Sequence, residues 1–275
     1  MNDMPGHIEY LSSSSDVGFS EEWYEVNDPE HFWFQWRWRV FSRLMRDMKL
    51  PLEANWSMLD IGCGTGLMRD RIEPETAWNV DVSELNPHAL KRVQPGRGRT
   101  FFYDVLDAHD SLVNTYDAIS FFDVLEHIPD PAELIEAGRS HLKPGGWLFV
   151  NVPALPSAHS RYDQVVGHLR RYTKESLSRE VEACGFTVMS ARYWGLLLLP
   201  PLFVRKWLLD GSKATPEQIV STGMRPPGRI SQVFLRSLMS IETSLFHAPP
   251  VGASLVLAAR RYDGVPGDTE ERSSL

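Results

Sequence analysis

The stretch Leu59-Asp60-Ile61-Gly62-Cys63-Gly64-Thr65-Gly66 constrains this chain more than any other. An apolar run ends in a carboxylate, and three glycines follow at alternate positions. That pattern reads as a strand entering a loop whose backbone lies bare against a ligand, because glycine reaches φ > 0 and lacks the Cβ that would hold the ligand off. A helix after such a loop offers unpaired N–H groups to a carboxylate or phosphate. Asp60 instead suits a cationic or hydrogen-donating group. The spacing departs from the dinucleotide fingerprint G-x-G-x-x-G, since Leu67 stands where the third glycine belongs.

Short apolar runs at 58–61, 77–80, 100–103, 118–122 and 147–152 read as strands. Helical patterns between them, including 131–141, predict βαβ units and a parallel sheet. The turn Lys143-Pro144-Gly145-Gly146 leads into the last of these strands. Parallel sheets bind ligands beyond the carboxyl ends of their strands, and the first three runs end at Asp60, Asp81 and Asp104. Upstream, 29–48 reads as a helix opening on Asp28 and Pro29. Its aromatic segment from His31 to Trp38 predicts packing on the sheet, and the same stretch can serve as a lid with an arginine turned inward. Downstream, helices at 173–183 and 230–246 and strands at 186–193 and 253–259 complete a single domain over 29–262. Residues 1–28 and 263–275 read as flexible.

A net charge of −8 argues against a general phosphate-backbone binder, so no nucleic acid partner is expected. Cys63 and Cys184 form no CxxC pair, and the N-terminus has no apolar signal segment; both point to the cytoplasm. The apolar run 194–204 is short of the roughly 20 residues that span a bilayer. It is either the wall of an apolar pocket or, with Arg205 and Lys206 as flanking cations, a peripheral membrane contact over 194–207.

The octet is followed in order by Asn79-Val80-Asp81-Val82-Ser83, Tyr103-Asp104 and Tyr116-Asp117-Ala118-Ile119. Asp123-Val124-Leu125-Glu126-His127-Ile128-Pro129-Asp130-Pro131 and Leu142-Lys143-Pro144-Gly145-Gly146-Trp147-Leu148 complete the series. Over about 30–193 the ensemble resembles the class I methyltransferases dependent on S-adenosylmethionine (SAM), of the UbiG-like small-molecule type. The resemblance implies a Rossmann-like α/β fold with a seven-stranded, mostly parallel sheet, one antiparallel strand and helical caps. It implies transfer of the SAM methyl group to a small, partly apolar acceptor, most simply at oxygen, leaving S-adenosylhomocysteine. Segments 29–50, 153–172 and 194–250 would then be lid and acceptor-side caps.

Each part of SAM asks for a partner. Asp60 suits the ammonium, and the backbone of Gly62, Cys63, Gly64 and Gly66 suits the carboxylate, with Arg37 or Arg39 adding a charge-assisted bond. Asp81, with Val82 beside it, suits the ribose diol. Asp104 (or Asp107, were the strand longer) with the Val105 amide suits adenine. The resemblance places Phe122 and Asp123 along the methionine part and the Glu126-His127 segment at the acceptor.

On the acceptor side His127 is either a general base or a brace for the loop after the fourth strand. In Tyr162–Tyr172, Tyr162, Arg170 and Arg171 can clamp an acidic acceptor group, and Asp163 or His168 can take a proton. Alternatively, the arginines pair with Asp163, Glu175 or Glu180. His159 and Asp163 are discounted as a metal pair, and no metal is expected. Two other functions compete: a protein that holds SAM or its product without turnover, and an NAD-dependent oxidoreductase, which the glycine spacing disfavours.

Overall fold

The computed structural model describes residues 7–13, 30–212, 214, 215, 218, 219 and 228–262. In chain order these form β1 (Ile8–Tyr10), α1 (Phe32–Asp47), β2 (Ser57–Ile61), α2 (Arg69–Glu75), β3 (Asn79–Glu84), α3 (Pro87–Leu90), β4 (Thr100–Phe102), β5 (Tyr116–Phe122) and α4 (Pro131–His141). Then come β6 (Leu142–Pro153), α5 (Arg161–Val165), α6 (Lys174–Ala183), β7 (Phe186–Trp194), α7 (Leu199–Asp210), α8 (Arg229–Leu245) and β8 (Ser254–Arg261). The strands make one sheet in the order β1-β4-β3-β2-β5-β6-β8-β7. All pairs are parallel except those of β8, which runs antiparallel to both β6 and β7.

This is the Rossmann-like α/β architecture that the alternation of strands and helices predicts, with one strand more than the seven expected. The addition is β1, parallel to β4 at the sheet edge. It falls inside the segment 1–28, which had read as flexible throughout. Asp28, Pro29 and residues 263–275 lie outside the described residues. Helix α1 is capped by His31, whose side chain accepts from the Trp33 amide.

Each face of the sheet carries its own apolar layer. On one, α4 and α6 cover Ile119, Phe121 and Val150. On the other, α1 lays Trp36, Phe41 and Leu44 over Val80, Phe122 and Phe149. The Phe41 ring meets Phe122 and Phe149 edge-on, each at 5.1 Å, geometry that aromatic quadrupoles favour. Most of the aromatic segment is therefore core, and the residue turned toward the strand ends is Arg37.

Two boundaries have clear physical reasons. Pro200 and Pro201 begin α7 rather than interrupt it, because first-turn N–H groups have no intrahelical acceptor to lose. Strand β3 runs to Glu84 rather than stopping near Asp81. Asp81 lies opposite Leu59 in mid-strand. There it accepts hydrogen bonds from the Arg99 amide at 2.7 Å, the Arg99 guanidinium and the Tyr116 hydroxyl at 2.8 Å. That corrects the reading of Asp81 as a strand-end residue: it ties β3 to Arg99, just before β4, and to Tyr116 of β5, and Val82 beside it is buried opposite Asp60 of β2.

Candidate active site

Strands β2, β3 and β5 bring their carboxyl ends together, and the glycine octet runs out of β2 at that edge. The amides of Gly62 and Cys63 donate to the Ser83 carbonyl at 2.9 and 3.1 Å. The Gly64 amide donates to Glu84 Oε2 at 2.9 Å. Gly62, Gly64 and Gly66 all have positive φ. A Cβ on Gly62 would stand 2.7 Å from Val124 Cγ2, so this position has no room for a side chain.

Glu84 is the strand-end acid that sequence reasoning missed. Its Oε1 accepts from the Leu85 and Asn86 amides, and burial pushes its carboxyl up against those bonds. The signal was present: Asn86-Pro87 is a helix N-cap followed by a first-position proline, which ends the strand at 84 rather than 81.

Asp60 sits beneath the loop, fully buried, accepting from the Ser120 hydroxyl at 2.6 Å. Burial pushes its carboxyl from 3.8 up to about 6, opposed by that hydroxyl and by the charges of Arg37 and Arg69. A raised carboxyl stabilises the fold below the unfolded pKa and loses that contribution as pH climbs through the folded one. Asp60→Asn is therefore expected to unfold like the parent near pH 4. Above pH 6 it should be more stable by up to roughly 3 kcal/mol, the size of a two-unit shift. Urea midpoints from pH 4 to 8 check this; a difference that is flat across the window removes the buried charge from the account.

Of the two candidate arginines on α1, Arg37 and Arg39, Arg37 turns inward. It is buried, and its Nη1 donates to Asp123 Oδ2 at 2.6 Å. Its guanidinium lies over the rings of Phe34 and Phe122, and its Nε has no hydrogen-bond acceptor among the described residues. Arg39 instead donates to Ser240 Oγ on α8. Asp123 takes φ +58°, a left-handed conformation that Asp tolerates better than most residues, and the Asn151 amide group donates to its Oδ1. A small cleft lies between α1 and the residues after the loop, lined by Phe34, Arg37, Leu67, Met68, Asp70 and Arg71. The Cys63 thiol is pushed up by burial and by the charges of Glu84 and Asp60. Asp104 caps the turn Val105–Asp107, accepting from the Leu106 amide, while its own amide donates to Ser12 Oγ.

The Tyr162–Tyr172 block folds inward, contrary to the clamp reading. Asp163 is fully buried and accepts from Ser160 N and Oγ, His168 Nδ1 at 3.0 Å and Arg171 Nε at 2.8 Å. Although burial works the other way, the His168 bond and the Arg171 charge hold its carboxyl well below the usual carboxylate range. Asp163 is thus not poised to take a proton. Arg171 also donates to the Ala154 carbonyl, so it anchors the end of β6 rather than an acceptor. Arg170 donates to the Pro129 carbonyl. The Tyr162 ring lies under the Arg205 guanidinium at 4.2 Å. Lys206 binds the His159 carbonyl and Asp210, so neither expected membrane-flanking cation is uncommitted.

His127 donates from Nδ1 to the Gly167 carbonyl at 3.1 Å and stacks edge-on to His168 at 4.8 Å. Burial, helped by His168, pushes its imidazole down to about 4. Beside it Glu126 is fully buried, and neither carboxylate oxygen meets a hydrogen-bond donor from another described residue. Burial and then the Asp123 charge push its carboxyl well above the ordinary range.

A family model described as a methyltransferase domain matches residues 30–191. Among curated relatives, the ubiquinone biosynthesis O-methyltransferase of Thiobacillus denitrificans is 31% identical over 108 residues, covering 38% of this chain and 46% of the relative. That of Xylella fastidiosa is 35% identical over 109 residues, covering 38% and 44%. The chain thus spans about half, or less, of the length of these relatives. Similar solved structures include the [4+2]-cyclase SpnF, with TM-score 0.55, 18% identity and coverage of 82% of this chain and 81% of the other. A SAM-dependent methyltransferase from Mesorhizobium loti gives TM-score 0.52, 17% identity and coverage of 79% and 96%. At these identities the two structures share the fold with this chain.

Proposed function

This chain belongs to the methyltransferase domain family, and from that membership we propose that it transfers the methyl group of SAM to a small, partly apolar organic acceptor, at oxygen. SAM, when bound, supplies an electrophilic methyl group. The observation that carries the reading is the glycine loop at the end of β2, flanked by Asp60, Glu84 and Arg37. The unused Nε of Arg37 suits the SAM carboxylate. Asp60 suits its ammonium, Glu84 its ribose diol, and Asp104 with Val105 its adenine. Phe122 walls the methionine part, and α1 limits the access of water. Oxygen is the favoured acceptor atom because the curated relatives carry O-methyltransferase names.

Calorimetry with S-adenosylhomocysteine and with NAD tests the cofactor. Heat with the first alone is expected, and none with it would overturn the reading. Arg37→Ala should weaken that binding about tenfold or more, the size of one lost charge-assisted bond. A second reading, ligand binding without turnover, draws on the state of His127 and Asp163, neither of which is ready to accept a proton near neutral pH. Transfer of a radiolabelled methyl group to phenolic and lipid acceptors separates the two.

The apolar residues Phe203, Val204, Trp207 and Leu208 of α7 are exposed, Trp207 by 76%. No helix among the described residues is long and apolar enough to cross a membrane. We place α7 against a lipid surface or a lipid-like acceptor; co-sedimentation with anionic vesicles that Trp207→Ser leaves unchanged would refute this.

A further inference from the structure

Three ligand-capable side chains converge just beyond the carboxyl end of β5: Glu126, His127 and His168. One carboxylate oxygen and one nitrogen from each ring lie within 4.8 Å of one another, and His168 Nε2 stands 3.9 Å from Glu126 Oε1. A four-coordinate ion with bonds of about 2.1 Å needs ligand atoms roughly 3.4 Å apart. Side-chain rotations of about 1 Å would close the set.

The surroundings of the two rings are those of metal ligands. His168 donates from Nδ1 to the buried Asp163 carboxylate, and His127 donates from Nδ1 to the Gly167 carbonyl. Each bond fixes the tautomer that places the lone pair on Nε2 and holds the ring in orientation, which is how outer-shell partners prepare imidazoles for metals. Asp163 is in turn held by Ser160 and Arg171, so the His168 anchor is rigid.

Glu126 is the second and independent observation. It has no exposed surface, and both of its oxygens lack a hydrogen-bond donor from other described residues. Burying such a carboxyl without partners costs free energy. The neighbouring cations are committed elsewhere, Arg37 to Asp123 and Arg171 to Asp163. A cation bridging Glu126 and the two imidazoles satisfies the carboxylate directly.

We propose that Glu126, His127 and His168 form a binding site for one divalent first-row transition metal ion. Two imidazoles and one carboxylate suit zinc and its neighbours rather than magnesium or calcium, and three protein ligands leave coordination positions open. The role assigned to the ion rests on the methyl-transfer reading: it holds and polarises the oxygen of the acceptor. Its binding does not rest on that reading.

The test uses the full chain, stripped with a chelator and titrated with Co²⁺, followed by visible absorption and by competition with a chromogenic chelator for Zn²⁺. The expected result is one equivalent per chain with d–d bands. Glu126→Gln and His168→Asn should each weaken binding more than about a hundredfold, beyond the 10- to 100-fold typical of outer-shell changes. His88→Ala, on the distant α3, should bind like the parent. If Glu126→Gln fails to fold, His127→Ala takes its place. Absence of stoichiometric binding overturns the site, and so does binding that these variants leave intact. S-adenosylhomocysteine calorimetry on the stripped protein keeps the two proposals apart: cofactor heat that survives metal removal, whatever the cobalt titration shows, leaves the methyl-transfer reading standing alone.

Discussion

Asp163→Ala is expected to destabilise the fold by about 3–5 kcal/mol, the cost of leaving one member of a buried ion pair behind. Asp163 has no exposed surface, and the Arg171 side chain is only 5% exposed. Once the carboxylate is gone the guanidinium keeps a single carbonyl partner, that of Ala154. The Asp163 half of the capping box that opens α5 is lost with it. Chain segments that the pair joins loosen as well, since beside it the Leu155 amide donates to the Tyr172 carbonyl and the Tyr172 amide to the Pro153 carbonyl. Urea unfolding gives the number. A double variant, Asp163→Leu with Arg171→Met, removes both charges and should recover much of the loss, because apolar replacement of a whole buried pair is often close to neutral. A coupling energy near zero in that cycle would show that the pair does not hold this block.

The second large effect separates two acids three residues apart. Glu84→Ala should weaken S-adenosylhomocysteine binding by about 1.5–3 kcal/mol, or 10- to 150-fold, as expected when hydrogen bonds to a charged acceptor are lost. Glu84→Gln keeps an acceptor for the Gly64 amide and should lose less. Asp81→Ala should act the other way, with near-parental ligand affinity and a folding loss of about 2 kcal/mol. The second figure is held below the range for fully buried pairs because Arg99 is half exposed and solvent screens it. Calorimetry and thermal unfolding on the same two proteins decide it. If Asp81→Ala lost affinity while Glu84→Ala did not, the register of β3 would not explain ligand binding.

The difference between these acids shows what local pattern carries. The glycine octet, the Pro131 start of α4 and the alternation of strands were legible because each depends on residues a few positions apart. Asp81 was misread because a strand ending in Asp and a strand passing through Asp look alike until the start of the next helix is weighed. In Tyr162–Tyr172, Arg170 and Arg171 read either as an acceptor clamp or as partners of Asp163, Glu175 or Glu180, and tertiary packing shows that Arg171 and His168 neutralise the buried Asp163 carboxylate while Arg170 reaches the Pro129 carbonyl. Strand β1 has three residues, and its defining feature is a partner on β4. The Glu126 cluster joins a loop after β5 to one after α5, a distance in sequence that no short window spans.

That first strand has a temporal consequence. Ile8 pairs with Thr100, which is synthesised about ninety residues later, so at roughly 5–20 residues per second the segment waits about 5–20 s for its partner. Until then it is a bare β-segment, open to mispairing. It also brings Ser12 to the Asp104 amide, so the corner assigned to adenine is finished only after the sheet behind it. A strand made before its partner thus takes its place only once that partner has been made.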